Sequence, residues 1–188
     1  MAISPGTHTI GPAGSELLVR TYREGVAAKA GHDLVIEVTN WEATVDVGED
    51  GSLRSMALSA EPGSLRVRDG GGGAKPLTDK DRGDIQETIA KVLGPDPITF
   101  RSDGASLDGS GRLHVEGQLG IGGSSQPAGF ELAAAEDGTV GGTIALTQSH
   151  WGIKPYRGLM GALKVRDSVE VVLDGRLPAA CPPGGPRG

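Results

Sequence analysis

Short runs of alternating apolar and polar residues recur along this chain of 188 residues. In Trp41–Val47, for example, apolar and polar side chains alternate one by one, which is the period of a strand with one buried face. Turn residues separate the runs, and glycine alone supplies 32 positions without a collagen-like repeat. About nine or ten such runs predict an all-β sandwich or a closed antiparallel barrel, and they argue against a βαβ sheet.

One segment has the pattern of a helix instead. Thr78 is a suitable N-cap, Asp81 follows at the third position of a capping box, and Gly94 can end the helix. Apolar residues recur on one face of this segment: Ile85, Ile89, Val92 and Leu93. The sequence therefore predicts one α-helix, from Thr78 to Leu93, packed at an end of the β-structure.

The stretch from Thr143 to Leu173 alternates at both ends but not in the middle. In the middle, several glycines and Pro155 break the pattern. Four residues there add apolar mass that a solvated loop does not need: Trp151, Tyr156, Leu159 and Met160. We call residues 151–161 the hook. The pattern predicts a strand, a packed hook and a second strand, with the hook closing one end of the β-structure.

The length of the chain predicts a single domain. We assign residues 15–175 to a β-barrel, residues 1–14 to a flexible N-terminal arm and residues 176–188 to a disordered tail rich in proline and glycine. A net charge of -6 argues against nucleic-acid binding, which needs clustered cations. The start of the sequence lacks signal-peptide features, and no apolar run is long enough to span a bilayer. We therefore expect a cytoplasmic protein.

Metal and catalytic chemistry have little support in the sequence. The only cysteine, Cys181, lies in the tail, so we expect neither a disulfide framework nor a CxxC metal site. His32 with Asp33, and His150 elsewhere, can be interpreted as a metal pair or an acid–base pair. No well-placed third ligand, serine elbow or activated cysteine accompanies them. We expect no metal, no cofactor and no catalytic residue, and we assign His32 and Asp33 to hydrogen bonding of turn backbone at the barrel rim.

Five stretches resemble, in their order and spacing, the YceI-like family. They are PAGSEL at Pro12–Leu17, GHDL at Gly31–Leu34, PITFRS at Pro97–Ser102, VEGQLGIGGSSQPAGF at Val115–Phe130 and LTQSHWGI at Leu146–Ile153. The resemblance spans most of residues 12–174 and implies a lipocalin-like antiparallel β-barrel associated with binding polyisoprenoid chains. Two features depart from the family pattern. This sequence shows no secretory signal, which many members carry, and the helix replaces an aromatic-rich strand.

The inward positions of such a barrel are mainly small or medium aliphatic residues here. If the interior is hollow, we expect the ligand to contact these side chains: Ile36, Val38, Val45, Phe100, Leu113, Phe130, Leu132, Ile144, Leu146, Trp151, Tyr156, Met160 and Val171. This predicts a non-enzymatic binding or carrier protein for a long apolar molecule, such as an isoprenoid lipid or a quinone-like compound. The alternatives are a filled barrel that acts as a surface interaction module and, third, an enzyme. The sequence leaves the ligand and the oligomeric state open.

The hook is expected to control access to the interior. Its glycines supply hinges, so its four apolar side chains are predicted to line the opening, and Trp151→Ala is predicted to weaken ligand retention without unfolding the domain. If Trp151 proves structural, the opening must be sought at the helix instead. Lys154 and Arg157 beside the aromatic residues suit an anionic head group or a transient contact with a membrane surface. The alternative is that they are solvated rim charges.

Overall fold

The computed structural model describes residues 4–135 and 137–177. The strands in this part of the chain are β1 Gly6–Ile10, β2 Glu16–Thr21, β3 Arg23–Glu24, β4 Asp33–Val38, β5 Trp41–Val47, β6 Leu53–Ala60, β7 Leu65–Gly71, β8 Ile98–Leu107, β9 Arg112–Ile121, β10 Ser124–Ala134, β11 Thr139–Thr147, β12 Arg157–Gly158, β13 Leu163–Val165 and β14 Ser168–Arg176. The helices are α1 Asp79–Leu93 and four short 3₁₀ turns at Ala28–Ala30, Pro62–Ser64, Gln148–Trp151 and Leu159–Gly161. The predicted all-β chain with a single long helix is confirmed.

Eleven strands form one antiparallel sheet in the order β1-β5-β6-β8-β9-β10-β11-β14-β2-β4-β7. The sheet curls into a half-barrel whose two edges are β1 and β7. Its two halves are joined at a corner, where the Thr39 amide donates to the Ser64 carbonyl over 3.2 Å and the Glu61 amide donates to the Asn40 carbonyl over 3.0 Å. The predicted lipocalin-like architecture is therefore confirmed as a half-barrel rather than a fully hydrogen-bonded cylinder.

The hairpin of β9 and β10 shows how the sequence produces these strands. Ile121 lies opposite Ser124, so Gly122 and Gly123 alone make the turn. Both glycines have positive φ angles, 58° and 78°, which a two-residue hairpin turn requires and glycine adopts without strain. The turn fixes the register, and the alternating apolar residues of both strands therefore face the interior.

A second sheet has three strands in the order β12-β13-β3. Leu163 of β13 lies opposite Gly158 of β12, and Lys164 lies opposite Glu24 of β3. The sheet fastens the hook to the segment that follows β2. Alternation does not predict this sheet, because strands of two or three residues are too short to show it.

Both predicted ends of the barrel domain need correction. Residues 6–10, assigned to the flexible arm, form β1 and pair with β5 from Gly6 opposite Val47 to Ile10 opposite Ala43. The pairing buries Ile10 in the core, a contact that such a short run between glycines does not reveal in sequence. At the other end β14 includes Arg176, and Leu177 is buried. The predicted tail therefore begins too early, and its residues 178–188 lie outside the described part of the chain.

Helix α1 begins and ends where the sequence predicts. The Asp81 amide donates to the Thr78 hydroxyl, and the Asp81 carboxylate accepts from the Thr78 amide over 2.9 Å, which completes the capping box. The Arg82 guanidinium donates to the carbonyl of Val67 in β7 over 3.0 Å. Ile89 and Leu93 pack partly against the core, but no residue of the helix is buried. Helix α1 is therefore a cover over the half-barrel rather than part of its core.

The closely packed core occupies only part of the interior. Leu113 and Val115 of β9 are buried in one cluster with Leu132 of β10 and Val140 of β11. The same cluster also contains residues that border an internal space, such as Leu17, Ile36, Met56 and Phe100. We call the members away from that space the packed region. Besides Leu113, Val115, Leu132 and Val140, they are Ile10, Trp41, Ala43, Val45, Val47 and Leu177. Farther along β9, β10 and β11, the inward side chains face an internal space, which we call the hollow region.

Candidate functional site

A cavity of about 760 Å³ occupies the hollow region, between the curled sheet, α1 and the hook. Its wall is mainly apolar. The sheet contributes Leu17, Val19, Leu34, Ile36, Met56, Leu58, Ile98, Leu119, Ile144 and Val171, and the helix contributes Ile85, Ile89, Val92 and Leu93. The volume falls within the roughly 300–1,000 Å³ of typical small-molecule sites. The half-barrel is thus not filled by its own side chains.

Nine of the side chains predicted to contact a ligand lie on the cavity wall: Ile36, Val38, Phe100, Phe130, Ile144, Leu146, Trp151, Tyr156 and Val171. They come from five strands and from the hook. The alternation in each strand placed them on the inner face, and the curl of the sheet then brings them together. Phe100 and Phe130 stack at a centroid distance of 5.0 Å, at the boundary between the packed region and the hollow region.

Four predicted ligand contacts do not lie on the cavity wall. Val45, Leu113 and Leu132 point inward as expected, but all three are buried in the packed region. The prediction failed for them because alternation identifies the inner face and not the position along the strand. Met160 fails for the opposite reason, because its side chain is fully exposed, at 107% of the reference area.

Several wall residues were missed. They are the inward residues of β2, β4 and β6, such as Leu17, Val19, Leu34, Met56 and Leu58, and the apolar face of α1. The signal for β2 was present, because Leu17, Val19 and Thr21 follow one another at every second position and so face the same way. The signal for α1 was its apolar stripe, which predicts packing against the β-structure but does not predict a cavity wall.

Trp151 is a structural residue as well as a wall residue. Only 6% of its side chain is exposed, and its Nε1 donates to the carbonyl of Leu119 in β9 over 2.7 Å. The indole therefore fixes the start of the hook to the main sheet. The prediction that Trp151 is a rim aromatic that contributes to the mouth more than to the core is wrong, because a buried ring with a satisfied N–H contributes to packing like any core aromatic.

The rest of the hook divides into two parts. Tyr156 lines the cavity and is half exposed. Leu159 and Met160 lie on a turn that projects into solvent and does not reach the cavity. Of the four apolar hook residues predicted to line the opening, Trp151 and Tyr156 thus lie on the cavity wall, and the prediction is wrong for Leu159 and Met160.

Polar groups lie at the rim of the cavity on the side of β3 and the segment before α1. The His32 Nε2 lies 2.6 Å from the Lys75 carbonyl oxygen. The Asp33 carboxylate accepts from the Arg23 amide over 2.8 Å and lies 3.6 Å from the Arg23 guanidinium. His32 thus bonds to loop backbone at the rim, as predicted. Asp33 also bonds to backbone there, but its partner Arg23 lies in strand β3 and not in a turn. His150 instead lies beside the Trp151 ring, at a centroid distance of 6.2 Å.

Two ionised aspartates hold the segments on either side of the opening. Hydrogen bonds from the side chain and backbone of Thr78 keep the pKa of Asp81 below its ordinary value, at the start of α1. Just before the hook, hydrogen bonds from the side chain and backbone of Ser149 likewise keep the pKa of Asp167 below its ordinary value. Below the hook, the Tyr22 hydroxyl donates to the Glu170 carboxylate, which raises the pKa of Tyr22.

Three lysines contribute to the cavity wall: Lys75, Lys154 and Lys164. Across the described residues none of the three forms an ion pair. Arg23 also reaches the wall, but Asp33 and the Gly71 carbonyl engage it. The opening therefore offers uncommitted ammonium donors next to an apolar interior.

The described ranges contain no group of three His, Cys, Asp or Glu residues with the geometry of a metal site. In the same ranges no helix has both the length and the apolar character needed to cross a membrane.

An antiparallel half-barrel around an apolar cavity defines a lipocalin-like binding fold. Among solved structures, BcnA from Burkholderia cenocepacia is similar to this chain, with a TM-score of 0.61 and 16% sequence identity over 85% of this chain and 94% of that one. The Campylobacter jejuni YceI protein also matches, with a TM-score of 0.44 and 14% identity over 75% of this chain and 84% of that one. No family model matches the chain, and no curated protein matches its sequence. The chain has a YceI-like fold, as the sequence resemblance implied.

Proposed function

We propose that this protein binds and carries a long apolar molecule, such as an isoprenoid lipid or a quinone-like compound, inside the half-barrel. The observation that carries the proposal is the cavity of about 760 Å³ with a mainly aliphatic wall. Burial of a hydrocarbon chain contributes about 0.8 kcal/mol per CH₂. Such a wall therefore favours a long chain without needing many polar contacts.

The rim suits the other end of such a molecule. Lys75, Lys154 and Lys164 carry donors that form no ion pair within the described residues. A carbonyl, carboxylate or phosphate group at the end of the chain would accept hydrogen bonds from them. The ligand is therefore an amphiphile whose tail lies against α1 and the sheet and whose polar end lies near the hook.

The two alternative functions have less support. A filled barrel acting only through its surface does not account for a cavity of this size. An enzyme needs titratable groups free to act on the ligand. The rim groups His32, Asp33 and Asp81 are instead engaged with Lys75, Arg23 and Thr78 respectively. We therefore propose a binding role without catalysis.

The test is to measure what the protein carries and what it takes up. Protein purified from its own host is expected to show extra mass in native mass spectrometry, and this mass should be extracted by organic solvent. After extraction, a prenylated benzoquinone should bind again and quench the fluorescence of Trp151, which lies in the cavity wall.

A matched pair of variants on β10 tests whether binding occurs in the cavity. Ala128 lies on the cavity wall, whereas Ala133 is exposed on the same strand, five residues farther on and so on the opposite face. Ala128→Phe is expected to weaken quinone binding by about tenfold or more, equivalent to about 1.4 kcal/mol, and Ala133→Phe to leave it unchanged. A clean apo mass with no quinone uptake, or equal effects of the two variants, would refute the proposal.

A further inference from the structure

Exposed apolar side chains gather next to the opening. Five large apolar residues are exposed in the described ranges, and three of them belong to the hook: Tyr156, Leu159 and Met160. A fourth, Val26, is 99% exposed on the loop between β3 and the 3₁₀ turn at Ala28–Ala30. Contiguous exposed apolar residues mark surfaces that contact another body.

Backbone hydrogen bonds hold Val26 beside the hook. The Ala27 amide donates to the Ala162 carbonyl over 3.0 Å, and the Ala162 amide donates to the Leu159 carbonyl over 3.1 Å. Gly25 also lies against Ala162, since an added Cβ at Gly25 would lie close to the Ala162 carbonyl. The loop that carries Val26 and the turn that carries Leu159 and Met160 therefore form one surface feature, which we call the tip.

The backbone of the tip adopts an unfavourable conformation. Leu159 and Met160 have φ angles of 48° and 55°, and they are the only non-glycine residues with positive φ in the described ranges. Side chains with a Cβ rarely adopt this region, and residues held there concentrate at functional sites. Neither side chain gains burial in return, because both project into solvent. A role outside the folded domain accounts for their retention in this conformation.

The charge around the tip is opposite in sign to that of the whole chain. Residues 148–166 contain Lys154, Arg157, Lys164 and Arg166 and no acidic residue, whereas the chain has a net charge of -6. Lys29, on the turn next to Val26, is exposed as well. Apolar side chains flanked by basic residues complement an anionic bilayer, because the side chains enter the lipid and the cations contact the phosphate groups.

We propose that the tip docks the protein on the surface of an anionic lipid bilayer, with Val26, Leu159 and Met160 inserted among the head groups and Lys29, Lys154 and Arg157 contacting them. A few side chains at the end of a loop are a small patch compared with the roughly 800 Å² per partner of a stable protein interface. A bilayer does not need a complementary surface of that size. Tyr156 and Lys154 lie in the hook, a few residues before Leu159, and also line the cavity, so docking of the tip brings this side of the cavity close to the lipid. The proposal holds whatever the cavity contains.

The test is flotation of the intact protein with large unilamellar vesicles. Vesicles of phosphatidylcholine containing about 30% phosphatidylserine should carry the protein upward at low salt, and vesicles of phosphatidylcholine alone should not, because the anionic surface attracts the basic residues. Raising the salt to about 1 M should release the protein, since the Debye length then falls to about 3 Å.

Leu159→Asn combined with Met160→Asn is the decisive variant. Asn tolerates positive φ better than most residues, so the fold is preserved while the apolar tip is removed. We expect at least a tenfold loss of vesicle binding, equivalent to about 1.4 kcal/mol. Arg157→Glu should weaken binding to the anionic vesicles, while the same charge change at Arg54, which lies on β6 outside the cavity wall and the tip, should have a smaller effect.

Two results would overturn the proposal. One is that the wild-type protein does not float with the anionic vesicles at low salt. The other is that the double asparagine variant, shown by circular dichroism to be folded, floats as well as the wild type. In either case quinone binding in solution remains measurable, so failure of docking is distinguished from failure of the proposed binding function.

Discussion

The packed and hollow regions are built from the same strands. In β9, Leu113 and Val115 belong to the packed region, and Leu119 lines the cavity. In β11, Val140 is packed and Ile144 faces the cavity. The residue types are similar in both regions, so hydrophobicity does not distinguish them. The difference lies in what stands opposite each side chain.

In the packed region β1 and β5 supply those opposite groups. Ala43 and Val45 of β5 are buried in the same cluster as Leu113 and Leu132. In the hollow region the wall is formed by α1 together with inward residues of β2, β4 and β6, and no residue of α1 is buried. The side chains of these elements do not fill the space between them. The cavity therefore results from the spacing of the elements rather than from a change in residue type.

The largest expected effect on stability concerns Trp151, which lines the hollow region but is buried like a core residue. Trp151→Ala is expected to lower the free energy of unfolding by about 3–5 kcal/mol, as for other buried aromatic residues. Trp151→Phe keeps a ring but removes the N–H bond to Leu119, so it should cost about 1 kcal/mol. Urea unfolding measures both. Full stability of Trp151→Ala would mean that the hook is held by other contacts.

The second test compares two leucines at equivalent inward positions. Leu132 lies in the packed region and is 2% exposed. Leu132→Ala should lower the free energy of unfolding by about 2–5 kcal/mol. Leu146→Ala should cost less than half of that value in the ligand-free protein, because one side of Leu146 already faces the cavity and makes fewer contacts there. Urea unfolding of the two variants is the measurement. Equal losses would show that the cavity closes in solution.

The third test loosens the helical cover alone. Thr78→Ala removes the N-cap of α1 and should destabilise the helix by about 0.5–2 kcal/mol. Because α1 has no buried residue, amide hydrogen exchange should accelerate in α1 and remain unchanged in β9. Faster release of a bound quinone from this variant would show that α1 moves when the ligand leaves, whereas an unchanged release rate would show that the ligand leaves past the hook without movement of α1.

The smallest expected effect is the response to acid. The pKa of Asp81 and the pKa of Asp167 are both held below their ordinary values by hydrogen bonds. Each carboxylate therefore contributes stability above its unfolded-state pKa, and this contribution is lost as the pH falls through its folded-state pKa. Between about pH 5 and pH 2, protection factors should fall in α1 and in the hook. Asp81→Asn should remove most of this dependence in α1, and a variant that keeps it would identify another titrating group.

Much of the fold could be predicted from the sequence, because the signals involved are local. The capping box at Thr78 and Asp81 and the stop at Gly94 set the bounds of α1. Alternation predicted β5 and β9. The missed elements depend on partners far away in the chain. Residues 6–10 form the strand β1 because they pair with β5. The strands β12 and β13 likewise depend on pairing, in a sheet that β3 completes.

The cavity could be predicted only in part for the same reason. Alternation showed that Ile144 and Leu132 face inward, but it could not show that Ile144 faces a cavity and that Leu132 is buried in one cluster with residues of β5. The sequence around Trp151, a glycine-rich loop, does not indicate that its Nε1 donates a hydrogen bond to the Leu119 carbonyl. The position of a residue along the barrel depends on the register between strands, and one sequence does not reveal that register.

The register has a further consequence, for the order in which the protein can form. The main sheet joins β2 to β14, with Arg20 opposite Glu170, and the Tyr22 hydroxyl bonds to a carboxylate 148 residues away. During synthesis β2 emerges early, but its partner β14 emerges only after almost the whole chain has been made. Until then the edge of β2 that pairs with β14 is open to solvent or to another nascent chain. Folds with such distant pairings form slowly. A ribosome-bound intermediate ending before Ser168 should therefore be a good substrate for chaperones, and the release of β14 should be the step that completes folding.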